Sequence, residues 1–96
     1  MMKRVQLSAA AWDTPQKAHE ALAKALEFPA YYGHNLDALH DCLTDLADTE
    51  LVIEECAKAG EKMEKWPSFL AVFFDSAAEN PRLKIKLLPG NGDYGE

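Results

Sequence analysis

The sequence has few cysteines, no long hydrophobic run and a minority of basic residues. Its two cysteines, Cys42 and Cys56, are too few for a disulfide framework and do not form a zinc-binding pattern. The longest apolar run is far shorter than a membrane span, and the first four residues lead into no signal-peptide core. We therefore expect a cytoplasmic protein that does not associate with membranes.

Acidic residues outnumber basic ones by sixteen to ten, which gives a formal net charge of −6 at pH 7. Direct binding of nucleic acid is disfavoured, because such binding depends on cationic side chains that neutralise phosphates. An acidic surface instead favours a basic protein partner, whose approach it steers. With 96 residues, 48% hydrophobic and 27% charged, the chain is typical of a single folded domain.

Hydrophobic periodicity predicts short strands separated by amphipathic helices. The strands are predicted over residues 4–7, 51–53 and 83–87. Helices are predicted from Pro15 to about Glu27, from an N-cap at Asn35 to about Ala47, and from Trp66 to Asn80, with at most a short helix within residues 56–65. His19 is expected on the outer surface of the first helix.

The order of these elements predicts an α/β fold. Strands that are joined through helices pair in parallel, with right-handed crossovers. We therefore predict a single small domain of about three parallel strands with helices packed against the sheet, formed by residues 1–88. Residues 89–96 contain three glycines and almost no packing residues, so they are predicted to be a flexible tail.

The second predicted helix carries two superimposed patterns. Its apolar stripe consists of Leu36, Leu39, Leu43 and Leu46. Another face carries Asp37, Asp41 and Asp45, each four residues after the last, and like charges at that spacing destabilise an isolated helix by roughly 0.2–0.5 kcal/mol per pair. Such a ridge is either screened by solvent or covered by a cationic partner, and the residues alone leave both interpretations open.

Other chemistries have little support in the sequence. His34 and His40 lie near aspartates, but no HExxH-like motif or second cluster completes a metal-binding shell. Aspartates on an open helix face lack the apolar enclosure that separates carboxylate pKa values into acid and base roles. There is also no glycine-rich phosphate loop and no nucleophile elbow. We predict no catalysis, no metal and no cofactor.

From Tyr31 to Thr44 the sequence reads YYGHNLDALHDCLT. This segment closely resembles the barstar family, intracellular inhibitors of secreted barnase-type ribonucleases, and a weaker likeness extends over about residues 3–88. The resemblance implies a barstar-like fold and an inhibitory function. The inhibitor would occupy the active site of a basic ribonuclease or related nuclease toxin, with carboxylates that imitate substrate phosphate.

The resemblance also implies which residues bind the partner: Tyr31, Gly33, Asn35, Asp37, His40, Asp41 and Asp75. Asp41 corresponds to the family's central carboxylate and Asp37 to a second one. Tyr31 corresponds to an aromatic residue that packs over the catalytic histidine of the enzyme. Asp75, on the last predicted helix, corresponds to a glutamate that pairs with a basic residue at the rim. Asp45 acquires no such role and is expected to be solvated.

Some positions depart from the family pattern. His40 stands at a tryptophan position, His34 at a glutamate position and Leu46 at a second tryptophan position. These departures keep a second hypothesis open, in which the same fold binds a partner that is not a nuclease. If His40 lies in the interface, its protonation would make binding pH-dependent.

Overall fold

The computed structural model describes residues 2–90, which form a three-stranded sheet and four helices. The strands are β1 (Lys3–Ser8), β2 (Thr49–Glu54) and β3 (Leu83–Leu87). The helices are α1 (Pro15–Leu26), α2 (Leu36–Thr44), α3 (Cys56–Lys62) and α4 (Trp66–Glu79). The predicted α/β class is confirmed.

The sheet has the order β1-β2-β3, and both of its pairings are parallel. The β1–β2 pairing runs from Lys3 opposite Thr49 to Ser8 opposite Glu54, and β3 pairs with the other side of β2. Because the middle strand is covered on both sides, the apolar run Leu51–Ile53 is almost completely buried, as its composition predicted. The alternating pattern of residues 83–87 is confirmed as an edge strand with one buried face.

Aromatic side chains fill the core between the sheet and α4. Phe69 and Phe73 are fully buried, with ring centroids 6.4 Å apart. Trp66 stacks on Phe69 at 6.4 Å, and Trp12 from the β1–α1 loop lies 6.3 Å from Trp66. Burial of each such side chain stabilises the fold by roughly 1.5–3 kcal/mol, so this cluster is the main anchor of α4.

The first turn of α3 is tied to the chain that follows β3. The backbone N–H of Cys56 donates to the carbonyl of Leu88 at 2.9 Å, and that of Ala57 donates to the carbonyl of Pro89 at 3.0 Å. These bonds satisfy N–H groups that have no partner inside the helix. Of the predicted flexible tail, residues 91–96 lie outside the described residues.

None of the helices in residues 2–90 combines the length and apolar character that crossing a bilayer requires. The longest, α4, has 14 residues, whereas a transmembrane helix needs about 20.

Ser76 of α4 provides a test of the core. It is fully buried, and its hydroxyl has no hydrogen-bond partner among the described residues. An unpaired buried polar group costs about 1–3 kcal/mol, and alanine is also the better helix former. We expect Ser76→Ala to raise the free energy of unfolding by about 1 kcal/mol in urea denaturation. Ser68→Ala, at a half-buried position of the same helix, is the control for helix propensity. An equal increase in the free energy of unfolding for Ser68→Ala would refute the explanation.

Candidate protein-binding surface

The residues that the resemblance singles out are accessible to solvent. Apart from Asp75 on α4, they lie on α2 or in the loop before it: Tyr31, Gly33, Asn35, Asp37, His40 and Asp41. His40 is half-buried and the others are exposed. Their accessibility is compatible with contact to a partner, and their roles in binding stay a prediction.

A contact between His40 and Glu79 joins α2 to α4 on this surface. His40 Nε2 lies 3.1 Å from Glu79 Oε2. Asp75 precedes Glu79 by four residues, so both carboxylates lie on the same side of α4. The structure therefore brings Asp75 to the α2 side of α4. Glu79 was not predicted from the sequence as part of this surface, although its spacing of four residues from Asp75 could have indicated that both lie on one face of the helix.

The C-terminus of α2 is held by a buried amide from α4. Asn80, 4% exposed, donates through Nδ2 to the carbonyls of Leu43 at 3.1 Å and Leu46 at 3.0 Å. The Thr44 hydroxyl donates a hydrogen bond to the carbonyl of His40 at 3.0 Å. Beyond Thr44 the N–H of Leu46 bonds to the carbonyl of Leu43, three residues back, at 3.3 Å, so the α-helical bonding pattern has ended. The helix ends at Thr44, and the predicted end near Ala47 is wrong.

The N-terminus of α2 is fixed by Asn35 and Gly33. Asn35 Oδ1 accepts the N–H of Ala38 at 2.8 Å, which confirms the predicted N-cap, and Nδ2 donates to the Gly33 carbonyl at 3.2 Å. A Cβ at Gly33 would lie 2.9 Å from that Nδ2 atom. Gly33 and Asn35 therefore shape the loop before α2, whether or not they also touch a partner.

The two adjacent tyrosines point in opposite directions. Tyr31 is 88% exposed, whereas Tyr32 is 8% exposed and its ring packs on Phe28 with centroids 4.9 Å apart. The Tyr32 hydroxyl lies 2.6 Å from Nδ1 of His19, which is only 3% exposed. The prediction that His19 lies on the surface is wrong. Its ring is buried because a tyrosine from another part of the chain supplies a hydrogen bond.

Burial determines the protonation states of His19 and Tyr32. It lowers the pKa of His19, with a smaller contribution from His34, and it raises the pKa of Tyr32. The imidazole is therefore neutral at pH 7, and the phenol keeps its proton. The neutral imidazole and the protonated phenol therefore share one hydrogen bond between Nδ1 of His19 and the hydroxyl of Tyr32.

A groove runs between the end of α1 and α2, beside Tyr31. We call it the α1–α2 groove; its volume is about 260 Å³, and it is lined by Leu26, Glu27, Phe28, Pro29, Tyr31, Asp41, Cys42, Asp45 and Leu46. Burial raises the pKa of the Cys42 thiol, and the carboxylates of Asp41 and Asp45 raise it further. Asp45, which the sequence left without a role, therefore shares a groove with two predicted contact residues.

No group of three or more histidine, cysteine, aspartate or glutamate side chains within residues 2–90 is arranged to hold a metal ion. The histidines of this region have other neighbours. His19 bonds to Tyr32, and His40 contacts Glu79.

The His19–Tyr32 pair predicts a pH dependence of stability. Because the pKa of His19 is lower in the folded chain than in the unfolded chain, its contribution is fully present above about pH 6.5 and is lost as the pH falls. We expect the free energy of unfolding to decrease from pH 7.5 to 5, and His19→Gln to flatten part of this decrease. Exposed His34 serves as the control: His34→Gln should retain most of the slope, and an unchanged slope in His19→Gln would contradict the assignment.

Asn80 predicts how α2 responds to loss of its C-terminal partner. Asn80→Ala removes the buried side-chain donor that bonds the carbonyls of Leu43 and Leu46, so we expect a loss of roughly 2–3 kcal/mol in the free energy of unfolding. Hydrogen exchange at the Leu46 amide, which donates to the Leu43 carbonyl, should also become faster. Asn35→Ala, which removes the opposite cap, should cost about 1 kcal/mol. A smaller loss for Asn80→Ala than for Asn35→Ala would be inconsistent with this role.

Comparison with known proteins gives two findings. The family model described as "Barstar (barnase inhibitor)" matches residues 2–88. A protein from Bacillus subtilis (strain 168) named "Putative ribonuclease inhibitor YrdF" is 38% identical over 52 residues, which are 54% of this chain and 57% of that protein. The chain therefore matches little more than half the length of this relative.

Proposed function

This chain belongs to the barstar family, and on that basis we propose that it inhibits a basic ribonuclease by covering the enzyme's active site. The description of the family names inhibition of barnase, and the matched relative is named as a ribonuclease inhibitor. We propose the same inhibitory function for this chain, together with a mechanism. The partner is an extracellular-type ribonuclease or a related nuclease toxin, and the chain itself performs no catalysis.

The observation that carries the proposal is the cluster of carboxylates on adjacent helices. Asp37 and Asp41 are exposed on α2, and Asp75 and Glu79 are exposed on the facing side of α4. The contact between His40 and Glu79 holds the two rows side by side. Ribonuclease active sites bind phosphate with cationic side chains, and charge-assisted hydrogen bonds to carboxylates use the same donors.

The rigidity of α2 supports this mechanism. Asn35 caps one end of the helix and Asn80 binds the carbonyls at the other. A surface that is already ordered loses less conformational entropy on binding, so more of the electrostatic attraction becomes affinity. The net charge of −6 also accelerates the approach of a basic partner.

Each predicted contact residue has a proposed role. Asp41 and Asp37 replace substrate phosphates, and the exposed ring of Tyr31 packs on the catalytic histidine. Asp75 pairs with a basic residue at the rim. His40, which also contacts Glu79, touches the enzyme, and Gly33 and Asn35 contribute the loop before α2.

A second candidate is a barstar-like module that binds a partner other than a nuclease. The observation that favours it is that His34 is exposed and His40 half-buried, so the departures from the family pattern alter the surface rather than the core. A pull-down with microbial ribonucleases separates the candidates, because only the first predicts that a captured ribonuclease stops cleaving RNA.

Asp41 provides the test of the proposed inhibition. We expect Asp41→Ala to weaken binding by more than about 2 kcal/mol, as truncation of a hot-spot residue does. The measurement is inhibition of RNA cleavage by barnase and by a panel of basic microbial ribonucleases, with Kd values from calorimetry. Glu61→Ala, an exposed carboxylate on α3, is the control and should inhibit like the parent.

Two outcomes would count against the proposal in different ways. Inhibition by Asp41→Ala at the parent's level would show that the central carboxylate lies elsewhere. A parent protein that inhibits no ribonuclease in the panel would favour the alternative module.

A further inference from the structure

Another pocket lies where helices α1, α2 and α4 begin, and we call it the His19 pocket. Its volume is about 370 Å³, within the range of about 300–1,000 Å³ that is usual for small-molecule sites. Its lining combines aromatic, apolar and charged side chains: Pro15, His19, His34, Asn35, Leu36, Asp37, Lys65 and Phe69. The α1–α2 groove shares none of these residues, so the two cavities are separate.

The most buried polar side chain of this pocket is that of His19. The residue is 3% exposed, and its Nδ1 atom is occupied by the hydroxyl of Tyr32 at 2.6 Å. The other ring nitrogen, Nε2, has no hydrogen-bond partner within residues 2–90. In that part of the chain the one fully enclosed side-chain nitrogen or oxygen without a partner is Oγ of Ser76. Nε2 is therefore not enclosed, and the pocket that His19 lines gives access to it.

The backbone around the pocket is electropositive. Pro15 and Leu36 are the first residues of α1 and α2, and Lys65 directly precedes α4. The N-terminus of each helix carries a partial positive charge. The first N–H groups of a helix have no partner inside it, and those of Leu36 and Asp37 have none elsewhere within residues 2–90. These two N–H groups are available to an acceptor from outside the chain.

The charged side chains of the pocket also favour an anion. Lys65 is exposed and forms no ion pair within residues 2–90. The ring of His34 stacks on that of His19, with centroids 6.0 Å apart, and a nearby negative charge would stabilise either imidazole in its protonated form. Asp37 contributes the one carboxylate of the lining. Lysine, two histidines and three helix ends outweigh that single negative charge.

We propose that the His19 pocket binds a small molecule that carries a phosphate monoester group. A phosphate group has up to two negative charges and three acceptor oxygens, which suits several converging donors. Those donors are the N–H groups of Leu36 and Asp37, the imidazolium Nε2 of His19 and the ammonium group of Lys65. Phosphate alone would leave much of the pocket empty, and the apolar part of the molecule packs on the ring of Phe69.

The proposal does not depend on ribonuclease inhibition, because none of its features requires a protein partner. Asn35 and Asp37 belong both to the pocket and to the predicted contact surface, so a bound molecule would lie at the edge of that surface. The experiments therefore use the full chain by itself. Their failure would leave the proposed inhibition untouched.

The first experiment is a titration of the chain with phenyl phosphate at pH 7, followed by amide NMR. We expect saturable shifts at Leu36, Asp37 and Phe69 with a Kd of about 1–10 mM, roughly as for a fragment of this size. Phenol, which lacks the anion, should shift these amides much less, and an equal response to phenol would overturn the proposal. Inorganic phosphate should bind more weakly, and equal affinity would contradict the monoester.

The second experiment repeats the titration with charge variants. Lys65→Gln should raise the Kd about three- to fivefold, and Asp37→Asn should lower it, because the first removes an attraction and the second a repulsion. Lys86→Gln, which removes the same charge from an exposed position on β3, is the control and should change the Kd less than about twofold. Equal effects of Lys65→Gln and Lys86→Gln, or weaker binding by Asp37→Asn, would show that no anion site exists here.

The third experiment follows the ring protons of His19 by NMR over a pH titration, with and without phenyl phosphate. The midpoint for His19 should move to higher pH when the ligand is present, because an adjacent anion favours the imidazolium. His40, which contacts Glu79 outside the pocket, should keep its midpoint. Other ionisable groups contact His19 or line its pocket and are the same in both titrations: Tyr32, His34, Asp37 and Lys65. An unchanged midpoint for His19 at saturating ligand would refute its assigned contact.

Discussion

The side-chain amide of Asn80 makes the interaction on which the proposed binding surface depends. It lies just after α4, donates to the carbonyls of Leu43 in α2 and of Leu46 beyond it, and accepts the N–H of Arg82 just before β3. One buried group thereby fixes α2 against both α4 and the sheet. This uncharged contact fixes the C-terminal end of α2, while the Asn35 cap and the contact between His40 and Glu79 hold the rest of the helix that carries Asp37 and Asp41.

A surface of like charges opposes folding, and the aromatic core compensates for it. Each carboxylate pair at a four-residue spacing costs roughly 0.2–0.5 kcal/mol in a helix, whereas burial of Phe69, Phe73 or Trp66 contributes roughly 1.5–3 kcal/mol each. The core can therefore support an acidic face that has no function in folding. In the proposed complex, cations of the partner would relieve this repulsion, which would favour the bound state over the free one.

The limits of prediction from the sequence follow from the distance between interacting residues. Local patterns were sufficient for the strand at residues 83–87, the N-cap at Asn35 and the α/β class, because periodicity and capping act over a few residues. The burial of His19, the end of α2 and the role of Glu79 depend on partners 13, 37 and 39 residues away. The spacing of Asp75 and Glu79 places both on one face of α4, but no pattern within one helix identifies the distant partners of these residues. The motif around α2 indicated where a partner would bind, but the α1–α2 groove required the packing of two helices.

His40 shows how one departure from the family pattern changes the kind of interface that this fold can form. A tryptophan at that position would offer a large apolar area, which commonly dominates binding energy. The imidazole of His40 instead lies 3.1 Å from Glu79, with Asp37 and Asp41 on its own helix and Asp75 on α4. In the proposed interface, polar pairing by His40 would replace apolar burial, and a larger share of the affinity would come from charges. A partner adapted to this surface would carry basic groups at positions where the partner of a protein with tryptophan in place of His40 would carry an apolar group.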